Sequence, residues 1–150
     1  MKKLFAFLGL VLFTCAVVNA QVEKPLLMQG PTLNASHIVF AYGGELWSVS
    51  REGAIALQLT NGVGRKSNPH FSPDGKLIAF TAEYGGNRNV YVMPSEGGEP
   101  RQLTYAPGPD IVEGWTPGGK AVLFRSSRES FAPRYEQLYT ISIDGGFAKQ

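Results

Sequence analysis

From Leu33 onward, short apolar runs alternate with clusters of Gly, Pro, Asn, Asp and Ser, and no stretch keeps the spacing of a buried helix face. The middle of the chain shows the pattern most clearly. Asn68 to Phe71 predicts a short first strand. Ser72-Pro73-Asp74-Gly75 predicts a turn in which proline presets φ and glycine accepts a positive φ. Lys76 to Ala82 predicts a second strand, whose run Leu77-Ile78-Ala79-Phe80 is apolar at consecutive positions, the mark of a strand covered on both faces. Tyr84-Gly85-Gly86-Asn87 turns the chain into a third strand, Asn89 to Met93, carrying the β-favouring Val90, Tyr91 and Val92. After Glu96-Gly97-Gly98-Glu99, Arg101 to Thr104 closes the unit as a fourth strand.

The unit repeats. Leu59-Thr60 returns 44 residues later as Leu103-Thr104, and Phe71-Ser72-Pro73-Asp74-Gly75-Lys76 returns at the same offset as Trp115-Thr116-Pro117-Gly118-Gly119-Lys120. Ile78-Ala79-Phe80 recurs as Val122-Leu123-Phe124, with an earlier copy, Ile38-Val39-Phe40, 40 residues upstream. Leu46-Trp47, Val90-Tyr91 and Leu138-Tyr139 form a further series, and Gly97-Gly98 and Gly145-Gly146 follow its last two members. Four short strands in about 44 residues is the period of a propeller blade. The predicted fold is all-β: about three blades of an incomplete β-propeller, each a four-stranded antiparallel sheet, in units of about 33–60, 68–104 and 112–150. Propellers close their ring with about four to eight blades, and three leave open sheet edges. The residues Gly145-Gly146-Phe147-Ala148-Lys149-Gln150 fall where the repeat calls for a leucine-containing last strand. The expectation is a partial product of a longer protein.

The first twenty residues follow a different pattern. Lys2-Lys3 precede a 15-residue uncharged stretch, Leu4 to Val18, and Val18-Asn19-Ala20 offers the small residues of a cleavage site before Gln21. A membrane-spanning helix needs about 20 apolar residues, so 1–20 reads as a signal peptide and 21–150 as the exported part, periplasmic or secreted. Cys15, the only cysteine, lies inside that signal, which leaves the mature chain without thiol chemistry. Lys2 and Lys3 also account for the net charge of +2. A neutral mature chain gives no electrostatic reason to expect nucleic acid, or membrane after cleavage, as a partner.

Phe71 to Phe80, then Asn89-Val90-Tyr91-Val92, then Arg101-Gln102-Leu103-Thr104 resemble the WD40-like propeller repeat of bacterial periplasmic proteins. Tyr105 to Asp110, Gly114 to Lys120, Arg134-Tyr135-Glu136-Gln137-Leu138-Tyr139 and the start, Leu33 to Trp47, are similar to the first propeller of tricorn-type serine peptidases. One departure is Gly118, where the repeat has aspartate. The resemblance implies a multidomain protease with further blades, a PDZ-like domain and a serine peptidase domain, whose propellers filter unfolded peptides and which can assemble as a homo-oligomer. No catalytic residue of that family falls within this chain. Two alternatives from other classes are a non-catalytic protein-binding propeller of the Tol-system type and the propeller of a prolyl oligopeptidase-type or amidohydrolase enzyme.

The residues offer little independent chemistry. His70, Ser72 and Asp74 are close in sequence, but Ser72 and Asp74 flank a tight turn whose backbone they are expected to cap, and no Gly-x-Ser-x-Gly elbow occurs. His37 has no metal-binding neighbour in sequence, so neither metal nor cofactor is expected. Gly62-Val63-Gly64-Arg65-Lys66-Ser67 lacks the first glycine of a phosphate loop and reads as an inter-blade connection. Trp47 and Trp115 read as equivalent core landmarks. Arg125, Arg128 and Arg134, with Ser126, Ser127 and Ser130, form a candidate basic rim that greets a peptide carboxylate by bidentate hydrogen bonding, weighed against an ordinary solvated loop.

Overall fold

The computed structural model describes residues 27–130, 132 and 134–150. The expected signal segment therefore lies outside the described residues. Eleven strands and no helix occur among those that are described. The first sheet orders β1 (Gln29–Leu33), β2 (His37–Tyr42), β3 (Glu45–Ser50) and β4 (Leu57–Gln58) in sequence. The second repeats this with β5 (Lys66–Phe71), β6 (Leu77–Ala82), β7 (Asn89–Pro94) and β8 (Arg101–Gln102). The third holds β9 (Asp110–Trp115), β10 (Ala121–Ser126) and β11 (Gln137–Ser142), with a bridge between Thr140 and Lys149 in the place of a fourth strand. All neighbours are antiparallel, and the first strands β1, β5 and β9 lie side by side where the sheets converge. The sheets have the blade form that the repeat predicts.

Each first strand starts a few residues before the apolar pattern does, because each carries a bulge that interrupts the pattern. Gly30-Pro31 together oppose Phe40, since the register steps from Gln29↔Ala41 to Thr32↔Val39. Asn68-Pro69 likewise oppose Phe80, and the extra residue in β9 opposes the Leu123–Phe124 step. The same position is bulged in all three blades. Gly30 and Asn68 supply the positive φ, 54° and 51°, that lets the strand bend there.

The sheets pack face to face. Val39, Ala41 and Leu46 of the first meet Ile78, Phe80, Ala82, Tyr91 and Met93 of the second. Ala79, Val90, Val92 and Leu103, on the opposite face of the second, meet Val112, Val122, Phe124, Tyr139 and Ile141 of the third. Each seam thus sets a face of small and aliphatic residues against one bearing a stacked aromatic pair, Phe80–Tyr91 or Phe124–Tyr139, with centroids 5.9 and 5.8 Å apart. Phe40 and Trp47 are register partners at the equivalent place in the first sheet. Trp115 is different: it lies on β9, aligned with Phe71, and its indole N–H donates to the His70 carbonyl at 2.9 Å. The two tryptophans are therefore not equivalent, because one belongs to a third strand and the other to a first.

The repeated Gln-Leu-Thr has a structural reason. Thr60 Oγ1 accepts the Leu46 N–H at 2.9 Å and Thr104 Oγ1 accepts the Val90 N–H at 3.0 Å, both buried, while Leu59 and Leu103 donate back to the same two residues. Gln58 and Gln102 then bond the Thr60 and Thr104 carbonyls. The motif continues the ladder past the two-residue outer strand with side-chain groups. Replacing the hydroxyl leaves a buried N–H without an acceptor, so Thr104→Val is expected to destabilise the chain by about 1–3 kcal/mol. Thr104→Ser should recover most of that loss. Urea denaturation of the three proteins checks both values.

Candidate functional site

The chemistry concentrates in the seams. Lys66, the first residue of β5, is wholly buried, and its Nζ donates to Glu45 Oε1 at 3.0 Å across the first seam. It also donates to the carbonyls of Gly62 at 2.9 Å, Gly64 at 3.1 Å and Val63 at 3.3 Å, and lies 4.7 Å from the Tyr84 ring centroid. The glycine-rich loop is an inter-blade connection whose carbonyls, not its N–H groups, face inward and hold the protein's own cation. Glu45 Oε2 accepts a further bond from Thr60 Oγ1 at 2.6 Å, which ties the ion pair to the strand-closing threonine. Gly64 has φ +75°, and a Cβ there would fall 2.3 Å from the Glu83 carbonyl oxygen.

The second seam uses the same three positions, 44 residues on, with the charge moved by one place. Glu45, Lys66 and Tyr84 correspond to Asn89, Asp110 and Arg128. Asp110 is wholly buried and its Oδ2 accepts from Arg128 Nη2 at 2.5 Å. The Arg128 guanidinium lies over the stacked pair, 4.9 Å from the Phe124 centroid and 5.4 Å from that of Tyr139, whose hydroxyl returns a bond to the Arg128 carbonyl. Each seam therefore holds one acid and one base. Asn89 Oδ1 and Asp110 Oδ1 are buried without a hydrogen-bond partner among the described residues.

The arginine rim resolves into three unlike sites. Arg125 is bonded to Glu113 at 2.6 Å and to Glu136, and those bonds, Glu136 first, raise its pKa. Arg128 turns into the seam onto Asp110. Arg134 stacks on Tyr135, 5.0 Å from its ring centroid, and has no acidic partner among the described residues. The loop brings the three guanidinia close in sequence but engages two of them with carboxylates. Ser126, wholly buried, accepts from the Arg128 N–H at 3.1 Å.

The remaining candidates are structural. Ser72 Oγ donates to Asp74 Oδ1 at 2.6 Å and accepts the Leu77 N–H, and Lys76 N–H bonds Asp74, which lowers the Asp74 pKa. This is a closed turn, and its third copy dispenses with the carboxylate: Thr116 Oγ1 alone exchanges bonds with Ala121, each 3.2 Å, where Gly118 replaces aspartate. His37 Nδ1 pairs with Ser36 Oγ at 2.9 Å at the start of β2. Glu45, Lys66, Asn89 and Asp110 escape a reading of apolar pattern alone, since each is polar within a strand end. The 44-residue offset between the two sets is the signal that finds them.

Comparison with known proteins places this geometry. Residues 25–150 match the family described as the tricorn protease N-terminal β-propeller domain. A putative tricorn protease homolog of Streptomyces coelicolor is 34% identical over 121 residues, which cover 77% of this chain and 10% of that protein. Among solved structures, a putative TolB from Agrobacterium tumefaciens superposes with a TM-score of 0.72 at 26% identity, covering 84% of this chain and 46% of that one. The tricorn protease crystal structure gives 0.71 at 23% identity, covering 81% and 13%. The chain spans only 10–13% of the length of the first curated relatives it matches.

Two outcomes follow from the seams. Lys66→Met leaves Glu45 and three carbonyls facing an apolar tip and is expected to cost about 3–5 kcal/mol. In a double-mutant cycle with Glu45→Gln, the double variant should be less destabilised than the sum by about 1–3 kcal/mol, read from denaturation midpoints. His70 gives a pH test. Burial lowers its pKa below 6.5, with the Glu113 charge opposing. Its stabilisation is therefore complete above the unfolded value, and is lost as pH falls from there through the lower folded value. Thermal melting between pH 7 and 5 should show this slope, and His70→Gln should flatten it.

Proposed function

The chain belongs to the tricorn protease N-terminal β-propeller family, and from that membership we propose that it is the substrate-gating propeller portion of an exported serine peptidase. In this reading the propeller filters and guides unfolded peptides toward a catalytic domain that lies outside this chain. The family match across residues 25–150 carries the reading. The seams supply what such a part requires. Cross-strand pairing, buried ion pairs and side-chain-closed outer strands give stiff blades, and a stiff scaffold holds a passage of fixed width. Arg134 is the guanidinium left to meet a peptide carboxylate at the rim. Export rests on the basic and apolar pattern of residues 1–20.

The likeness to the putative TolB at 26% identity favours a second reading, a protein-binding propeller without a peptidase domain. One comparison separates the two. The full-length protein is assayed on unfolded polypeptides and on short peptides, with and without residues 27–150. The gating reading expects cleavage of both substrates, and a loss of length selectivity on deletion. A full-length protein that cleaves neither favours the binding propeller. The 150-residue chain alone should leave both substrates intact; turnover that vanishes in Ser72→Ala would overturn the proposal. Recovery of the protein in the cytosol after fractionation would remove export from it.

A further inference from the structure

Asn61 alone, among the described asparagines, is placed to react with its own backbone. The inter-blade connection from Asn61 to Arg65 is exposed between the buried Thr60 and Lys66. Asn61 precedes Gly62, which has no side chain to shield its amide and holds φ at +96°. Neither the Asn61 amide nor the Gly62 N–H bonds to a described residue. The other described asparagines are each restrained. Asn34 Oδ1 accepts the Ser36 and His37 N–H groups, and its Nδ2 donates to the Gly75 carbonyl. Asn68 precedes Pro69, which has no N–H. Asn87 donates to the Ala106 carbonyl at 2.6 Å and precedes the bulkier Arg88. Asn89 is buried and precedes Val90, whose N–H is held by Thr104 Oγ1. Asp74-Gly75 and Asp144-Gly145 share the glycine neighbour, but Gly75 and Gly145 donate to the Ser72 and Ser142 carbonyls at 2.8 and 3.0 Å. In the second seam the equivalent pair is Tyr105-Ala106, which has no such chemistry.

We propose that Asn61 is a site of spontaneous covalent modification, passing through a succinimide to isoaspartate and aspartate. The Gly62 N–H loses its proton to hydroxide, and the nitrogen bonds to Asn61 Cγ. The Cγ–Nδ2 bond breaks, and the leaving nitrogen takes a proton from water and departs as ammonia. Water then opens the ring. Attack at Cγ gives aspartate, whereas attack at the main-chain carbonyl carbon gives isoaspartate, whose backbone runs through Cβ and Cγ and is a methylene longer. Either product adds a carboxylate to the outer cleft of the first seam, about 540 Å3, which Glu99 also lines. Tyr105 lines the smaller cleft of the second seam, about 260 Å3. Isoaspartate also acts on the seam itself. Thr60, just before it, donates to Glu45, and Gly62, just after it, gives its carbonyl to Lys66 Nζ at 2.9 Å. Residue 61 thus joins the two halves of the buried ion pair. Lengthening the chain there displaces the carbonyls that hold Lys66 and loosens the first seam.

The test incubates the 150-residue chain at mildly alkaline pH and follows its tryptic peptides by mass spectrometry and its stability by urea denaturation. Cleavage after Arg51 and Arg65 places Asn61 in a peptide with no other asparagine. That peptide should lose its amide and divide into isoaspartyl and aspartyl forms well before Asn34 and Asn87 lose theirs. The denaturation midpoint should fall in step with the isoaspartyl fraction. Freshly purified Asn61→Asp, which gains the charge without the methylene, should keep the midpoint of the fresh parent chain. Asn61→Ser should hold its midpoint through the same incubation. Loss of the Asn61 amide no sooner than those of Asn34 and Asn87 would overturn the assignment. So would a midpoint unchanged once isoaspartate has formed, an equal fall in Asn61→Ser, or a fresh Asn61→Asp midpoint as low as that of the aged chain.

Discussion

The second sheet is apolar on both faces, and that constraint organises the sheets around it. A four-stranded sheet with one solvated face could stand with a single partner. Here the second sheet offers Ile78, Phe80 and Met93 on one side and Ala79, Val90 and Val92 on the other, all buried. It needs a neighbour on each side to remove that surface from water, which at about 25 cal/mol per Å2 is the dominant favourable term. The radial arrangement follows, and so does the division of labour between faces. The larger aromatic face fans against the smaller aliphatic one, so successive sheets splay while their first strands converge.

The bulges and the seam charges serve that arrangement. An extra residue opposite Phe40, Phe80 or the Leu123–Phe124 step bends the innermost strand where three blades crowd together. Buried ion pairs seldom add net stability over an apolar replacement, but they penalise a wrong partner strongly. Glu45 of the first sheet needs Lys66 of the second, whereas Asp110 and Arg128 are paired within the third. Moving the charge by one position makes the two seams chemically unlike although their apolar faces are nearly alike.

Function in such a fold lies in what the repeat leaves unequal. Where copies agree, as in Gln-Leu-Thr, the side chains close hydrogen bonds inside the blade. Where they disagree, as at Asn61 and Tyr105 or Glu99 and Phe147, the clefts of the two seams differ in size and lining.

The sequence by itself determined the blade count, the strand order and the turn chemistry, because those depend on local pattern and on landmarks that recur at a fixed offset. Leu77-Ile78-Ala79-Phe80 declared a strand buried on both sides, and it is. The bulged starts of the first strands were not legible: Gly30-Pro31 and Asn68-Pro69 look like breakers in one dimension and become part of the ladder only when a second strand supplies the register. The surroundings of the arginine rim were not legible for a related reason. Proximity in sequence placed Arg125, Arg128 and Arg134 together, but the carboxylates that engage two of them come from other strands. Charge pairing depends on distances of a few ångströms between residues far apart in the chain, as with Lys66 and Glu45 or Arg128 and Asp110. Strand pairing within the third sheet creates one of those distances, and the packing of the second sheet on the first creates the other.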